Sequence, residues 1–195
     1  SAMLMMITVA GVATGPLITK LAGRFDKKDV FMGVIGLCGL AMMSTRIIGV
    51  DSFSMLVAVC LLYAVANAFY WQLMPSMIYD VCEVEELISG EKHSGAVISL
   101  QSLSESISIA VGLQVLGIIL AMAGFDSEAA TQSQLAMTWV ENAFVVIPGA
   151  AMVCVALIVR KFPMTKELFN RVKEALERRR AGEEIDIDEF IEIFE

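Results

Sequence analysis

Residues 94–122 read SGAVISLQSLSESISIAVGLQVLGIILAM, a run with a single charged side chain, Glu105. It is longer than the roughly 20 residues a helix needs to cross about 30 Å of hydrocarbon. It therefore reads as a transmembrane helix, and that reading decides the fold. Working outward, four more apolar blocks appear: Met3–Ala22, Val30–Val50, Phe53–Tyr79 and Ala136–Val159. The 195-residue chain is 57% hydrophobic and 18% charged, with mean hydropathy +0.71. A soluble domain is nearer about 45–50% apolar and about 25% charged. The expectation is an all-α, polytopic bundle of five spans over residues 1–162, followed by a tail over 163–195.

Basic residues orient the bundle. Lys20, Arg24, Lys27 and Lys28 follow the first block, and Lys92 lies between the third and fourth. Arg160, Lys161, Lys166, Arg171, Lys173 and Arg178–Arg180 follow the fifth. Of the 14 Lys and Arg residues, only Arg46 falls on the other side. The positive-inside bias places the first and third loops and the C-terminal tail in the cytoplasm, with the cell (inner) membrane as the location. The positive charge comes after the first block, the reverse of a signal peptide, so that block reads as a span. Five spans with a cytoplasmic C-terminus put the N-terminus outside. The expectation is that a helix precedes it and that the chain is a piece of a longer protein.

The net charge of −8 arises from one loop and from the tail after Gly182. The basic cluster is juxtamembrane, which points to a lipid bilayer and not to nucleic acid. Cys38, Cys60, Cys82 and Cys154 are scattered through apolar blocks with no CxxC pairing, and they read as packing residues. Gly11 and Gly15 in the first span, and Gly33, Gly36 and Gly39 in the second, are small residues at helical spacing where backbones can approach. Pro16, Pro75 and Pro148 lie in or near the ends of spans and read as kinks. After the last span, PMTKELFNRVKEALERRR places Leu168, Val172, Ala175 and Leu176 on one helical face. That face suits a helix against the membrane surface or against the cytoplasmic side of the protein.

Three groups of residues could carry chemistry. In the fourth span Gln101, Glu105, Ser108 and Gly112 share a face, and Ser99, Ser102 and Ser106 form an adjacent polar stripe. Glu105 is about 16 Å deep by the helical rise. Carboxylates at such depth face a bundle interior or a water-filled path. It reads either as a cavity-lining proton or cation partner, or as a hydrogen-bonded glutamic acid holding helices together. In the third span Asn67, Tyr70, Trp71 and Gln72 sit near the middle. Trp71 reads either as a stacking platform for a sugar, with amides bonding its hydroxyls, or as a packed aromatic. Asp80, Glu83 and Glu86 then recur every three residues beside the cytoplasm, and can pair with basic residues of another domain as a gate, or simply be solvated. His93 is the sole histidine, in a polar loop. No zinc-type spacing, nucleophile elbow or phosphate-cradling loop appears, so neither an enzyme nor a cofactor protein is expected.

The run Asp80-Val-Cys-Glu83-Val-Glu-Glu86-Leu-Ile-Ser-Gly90-Glu-Lys92, followed by Ser99-Leu-Gln101-Ser102, resembles the glycoside–pentoside–hexuronide:cation symporters. These form the melibiose-permease-like branch of the major facilitator superfamily, whose pattern is roughly D-x-x-D-x-x-E-x-x-x-G-x-R, then S-x-Q-[ST]. The resemblance covers essentially the whole chain and makes it helices 8–12 of twelve. It implies that Asp80, Glu83, Glu86 and Lys92 are cytoplasmic gate positions. It further implies that Trp71 lies near the sugar site and that Gln101 and Ser102 open helix 11. Val84 and Leu87 replace the family's usual aromatics, and Ser94 replaces an acid. Ser106, beside Glu105, replaces the helix 11 lysine of the melibiose branch. The family's cation site and main sugar-binding acids belong to the N-terminal half.

The expected function is cation-coupled symport, with H⁺ or Na⁺, of a sugar, glycoside or similar small organic solute. Trp71, Gln101, Ser102 and Glu105 would line the path, and the missing N-terminal half-bundle would be the partner. Two other readings stand beside it: a non-transporting membrane scaffold or truncated remnant, and a transporter of lipid or lysolipid.

Overall fold

A computed structural model describes residues 2–48, 52–129, 131–187 and 189–191, with side chains at 2–4, 6–8 and 10 outside the description. The described residues form helices and no strand. They are α1 (Ala2–Arg24), α2 (Lys27–Ile48), α3 (Phe53–Ser89), α4 (Ser94–Met122), α5 (Gln134–Glu141), a π-helical turn (Asn142–Val146), α6 (Ile147–Val159) and α7 (Lys166–Arg180). Four stretches are long and apolar enough to cross a membrane: α2, α3, α4 and the continuous Gln134–Val159. The first expected span is helical within α1, although its side chains at 3, 4, 6–8 and 10 lie outside the described residues. The chain is an integral membrane helix bundle.

α3 is the axis of the bundle. α1 and α2 pack along it, α7 caps one end, and α4 touches it lightly. The main apolar cluster joins Ile18 of α1, Phe31, Ile35 and Cys38 of α2, and Phe69, Leu73 and Met77 of α3. Cys38, Cys60 and Cys82 are buried with free thiols, and Cys154 is exposed. α3 has 37 residues, about 55 Å at the helical rise, well beyond the apolar thickness of a bilayer. Its last turns carry Asp80, Glu83 and Glu86, so these carboxylates stand on a rigid helical extension and not in a loop. Ser52 starts the helix by accepting from the Met55 amide at 3.2 Å. Gly90 ends it at φ 82°, a left-handed cap whose N–H donates to the Glu86 carbonyl.

α2 and α6 make the tightest pairing, through glycine. A β-carbon on Gly39 would stand 2.7 Å from the Gly149 carbonyl oxygen, and one on Gly149 would stand 2.8 Å from that of Gly39. Gly36 is close to Ala156, while Gly33 has open space around it. Of the three spaced glycines in α2, two are therefore contact residues and Gly33 is not. Between hydrocarbon-facing helices such close approach is what dispersion attraction needs, because no hydrophobic force drives association. The π turn just before α6 adjoins Pro148, which cannot donate to the carbonyl four residues back.

α7 lies on the bundle itself and not alongside it. Leu168, Val172, Ala175 and Leu176 are buried in one cluster with Val84 and Leu87 of α3. Thr165 caps its start by accepting from the Leu168 amide, and Arg178–Arg180 occupy its last turn, where cations complement the helix dipole. α4 is the exception: none of its residues is buried within this chain.

These packing differences separate two glycines that hydropathy treats alike, since both sit in the apolar stretch of α2. Gly39→Ala should lower stability toward unfolding in mild detergent by about 1–3 kcal/mol through overpacking. Gly33→Ala should be neutral or slightly stabilising. Equal effects of the two substitutions would show that the α2–α6 contact does not depend on Gly39.

Candidate functional site

A cleft of about 690 Å³ lies between α3 and α4. From α3 it receives Asn67, Tyr70 and Trp71, one turn of helix that presents an amide and two aromatic rings. From α4 it receives Gln101, Ser104, Glu105 and Ser108, whose i, i+3, i+4, i+7 spacing places them on one face. Leu100, Ile109, Met74 and Ile78 supply apolar wall. Trp71 is 55% exposed and meets Tyr70 edge to face, with ring centroids 5.6 Å apart. Pro75, one turn beyond Trp71, leaves the Trp71 carbonyl without its usual helical donor.

The cleft thus brings together Trp71, Gln101 and Glu105 from the sequence reading. Ser102 is not on its wall; Ser104 and Ser108 are. Ser102 is one residue round the helix from Gln101, about 100°, enough to leave the cleft face. Gln72 abuts Gly15 of α1 instead. The α4 serines are also less available than a polar stripe suggests. Ser99, Ser102, Ser104, Ser106 and Ser108 each donate to the carbonyl four residues earlier, at 2.7–3.0 Å. This back-bonding satisfies hydroxyl hydrogens within the helix. Gln101 and Glu105 remain as the side chains of α4 on the wall with uncommitted polar groups.

The basic end of the bundle holds the second constellation. Asp80 is 6% exposed, and both its oxygens accept from Lys27 Nζ at 2.7 Å. Lys27 also stands 5.1 Å from the centre of the Phe169 ring of α7, a cation–π contact. Glu86 accepts a fork of bonds from Arg180 at 2.7–2.9 Å, with Lys92 4.0 Å away. Arg179 donates to the Leu87 carbonyl, one of the orphan acceptors at the end of α3. Asp26 accepts from the Lys166 amide at the start of α7 at 2.8 Å. Two of the expected gate carboxylates therefore already carry basic partners from this chain. Glu83 does not: its Oε2 is enclosed and unbonded. The role of Lys27 and Arg180 escaped the sequence reading, which could count basic residues by side but not pair them.

His93 joins the same end through Glu85 Oε1, 2.8 Å from Nδ1, and Glu91 Oε2, 3.3 Å from Nε2. The hydrogen bond to Glu85, and then the Glu85 charge, raise the His93 pKa above its ordinary 6.5. At the opposite end Arg46, the outlying cation, donates to Asn142 Oδ1 at 3.2 Å with Glu141 at 3.9 Å. Glu141 and Asn142 are thus helix-packing groups. Among the described residues no cluster of His, Cys, Asp or Glu has the arrangement of a metal site.

A family model described as "MFS/sugar transport protein" matches residues 1–166. The "Putative glycoside/cation symporter YagG" of Escherichia coli (strain K12) is 24% identical over 165 residues, covering 85% of this chain and 36% of that protein. The "Glucuronide carrier protein homolog" of the same organism is 21% identical over 174 residues, covering 88% of this chain and 37% of that protein. The chain thus spans little more than a third of the length of these relatives. No solved structure gives a significant match.

Two measurements check the basic end. Lys27→Met strands a buried carboxylate and should cost about 3 kcal/mol of stability. Adding Asp80→Asn to it should restore part of that loss, and a double-mutant cycle that comes out additive would deny the pair. In a titration followed by the imidazole NMR signals, the single histidine should show a midpoint above 6.5. Because that pKa is raised, the His93–Glu85 ion pair is complete below 6.5 and fades as pH rises through the folded-state midpoint. Glu85→Gln should bring the midpoint back toward 6.5; a wild-type midpoint at or below 6.5 would dispose of the pairing.

Proposed function

The chain belongs to the MFS/sugar transport protein family, and from that premise we propose that it is the C-terminal bundle, about helices 8–12, of a secondary active transporter. The solute is a sugar, glycoside or similar small organic molecule, and the coupling ion is H⁺ or Na⁺. Residues 1–162 form the membrane bundle and 163–195 its cytoplasmic tail, in the cell membrane. The observation that carries this reading is the cleft in which Asn67, Tyr70 and Trp71 face Gln101 and Glu105. A sugar needs an apolar platform for its C–H face and bidentate amides for its hydroxyls, and this wall offers both. α4, with no residue buried in this chain, is the helix free to meet a second half-bundle.

In this mechanism the two half-bundles rock about a midplane site. Trp71 stacks on the solute, Gln101 and Asn67 bond it, and Glu105 takes up the coupling proton or cation. Ser102, next to the wall, bears on the partner half. Asp80, Glu83, Glu86 and Lys92 form the cytoplasmic gate. Asp80 and Glu86 are braced by Lys27 and Arg180, and Glu83 is the gate carboxylate that has no ion pair among the described residues. The bracing keeps the end of α3 rigid, so that a change at Glu83 is transmitted to the wall at Trp71, about three turns away.

In the complete transporter reconstituted into vesicles, Glu105→Gln should reduce ion-driven accumulation by roughly tenfold or more, the size of a typical coupling free energy. Solute exchange without an ion gradient should persist. Unchanged uptake with unchanged pH dependence would sink the coupling role of Glu105.

A further inference from the structure

His93 belongs to neither the cleft nor the gate, yet its side chain is what fastens the start of α4 to α3. It closes the corner between the two helices, and its ring lies between two carboxylates. Nδ1 stands 2.8 Å from Glu85 Oε1 on α3, and Nε2 stands 3.3 Å from Glu91 Oε2 in the loop. Both ring nitrogens thus face groups that accept, and only the imidazolium carries two N–H donors. The neutral ring serves one carboxylate and turns a lone pair on the other. Glu85 depends on the contact as well, since its Oε2 is enclosed and unbonded. The other charges at this corner are engaged: Glu86 with Arg180 and Lys92, and Arg179 with the Leu87 carbonyl. From Ser94 to Ser104, α4 carries no charged side chain.

The backbone of the same residue starts α4. Its carbonyl accepts from the Ala96 and Val97 amides at 2.8 and 3.2 Å. The imidazole makes no cap to the helix and reaches back to α3 instead. No residue of α4 is buried in this chain, so little else fixes where the helix begins. Gln101 of the cleft wall lies about two turns, or ~12 Å, further along. We propose that His93, as imidazolium, is a positioning residue for transport: it clasps the start of α4 to Glu85, sets the pitch of the cleft wall, and lets go as the cytoplasm turns alkaline. This rests on the transport reading above. The carboxylates decide the sign. The hydrogen bond to Glu85, and then its charge, raise the His93 pKa above 6.5. The clasp is therefore whole below 6.5 and opens as pH climbs through the folded-state midpoint.

The test compares the complete transporter in vesicles with two variants. His93→Arg keeps a charge at every pH, and His93→Gln carries none. Backbone hydrogen exchange over Ala96–Leu100 is compared between proteins at the same pH, so that the chemical rate cancels. At about pH 8.5 this turn should exchange about two- to fivefold faster in the wild type than in His93→Arg, the range an exposed ion pair supports, and at about pH 5.5 the two should match. His93→Gln should exchange fast at both. Solute exchange without an ion gradient should show a step at the His93 midpoint in the wild type and in neither variant. Equal protection of the wild type and His93→Arg on the alkaline side, or a step that survives in both variants, overturns the clasp and leaves the transport reading in place. Absence of solute exchange from all three proteins overturns the transport reading, and the role of the clasp with it, whatever the amide rates.

Discussion

Hydrocarbon offers no hydrogen-bonding partner, so each polar group on a membrane span must be satisfied inside the protein. The rest of this structure follows from that constraint. It makes every described span a helix. It turns the serines of α4 back onto their own carbonyls. It ties Arg46 to Asn142 beside the π turn, where the local winding adjusts to Pro148. It also explains why Asp80, nearly enclosed at the end of the span, holds both oxygens against one ammonium group. A polar group left over after this accounting is worth attention, and on the α4 side of the cleft wall those groups are Gln101 and Glu105.

The same scarcity of driving force divides the bundle into a rigid and a loosely held part. α1, α2, α3 and α6 approach through Gly11, Gly15, Gly36, Gly39 and Gly149, where small residues let dispersion forces act at short range. α4 has no such seam on this side. It meets α3 across a cleft lined by aromatic, amide and carboxylate groups, and shows apolar residues such as Leu103, Ile107 and Val111 on its other faces.

At the basic end, α7 and the loop between α1 and α2 close over the extension of α3. Hydrophobic contact through Leu168, Val172 and Leu176 supplies the area, and Lys27–Asp80, Arg180–Glu86 and Asp26–Lys166 fix the geometry. Exposed pairs of this kind add little by themselves; the enclosed Asp80 is the one whose partner matters for stability. The carboxylates expected at a gate therefore sit on a braced platform, with Glu83 alone unbonded.

Much of this was legible in the residues. Block length and hydropathy identify the spans, because crossing a bilayer imposes a length and an apolar composition that few soluble helices share. The face of α7 followed from the spacing of Leu168, Val172, Ala175 and Leu176, and the common face of Gln101, Glu105 and Ser108 followed from the helical period. Periodicity could not say which neighbour a face would meet. It put Ser102 on the path and passed over Ser104, it ranked Gly33 with Gly39, and it ended the third span at Tyr79 where the helix runs on to Ser89. It could not see that Lys27 reaches Asp80, 53 residues away in sequence. The sequence by itself determined the solvent, the number of apolar blocks and the side on which the positive charge gathers, since each depends on local composition. The tertiary structure alone decided which carboxylates are paired, which glycines touch and which α4 residues line the cleft, because those depend on distances between helices that no local pattern encodes.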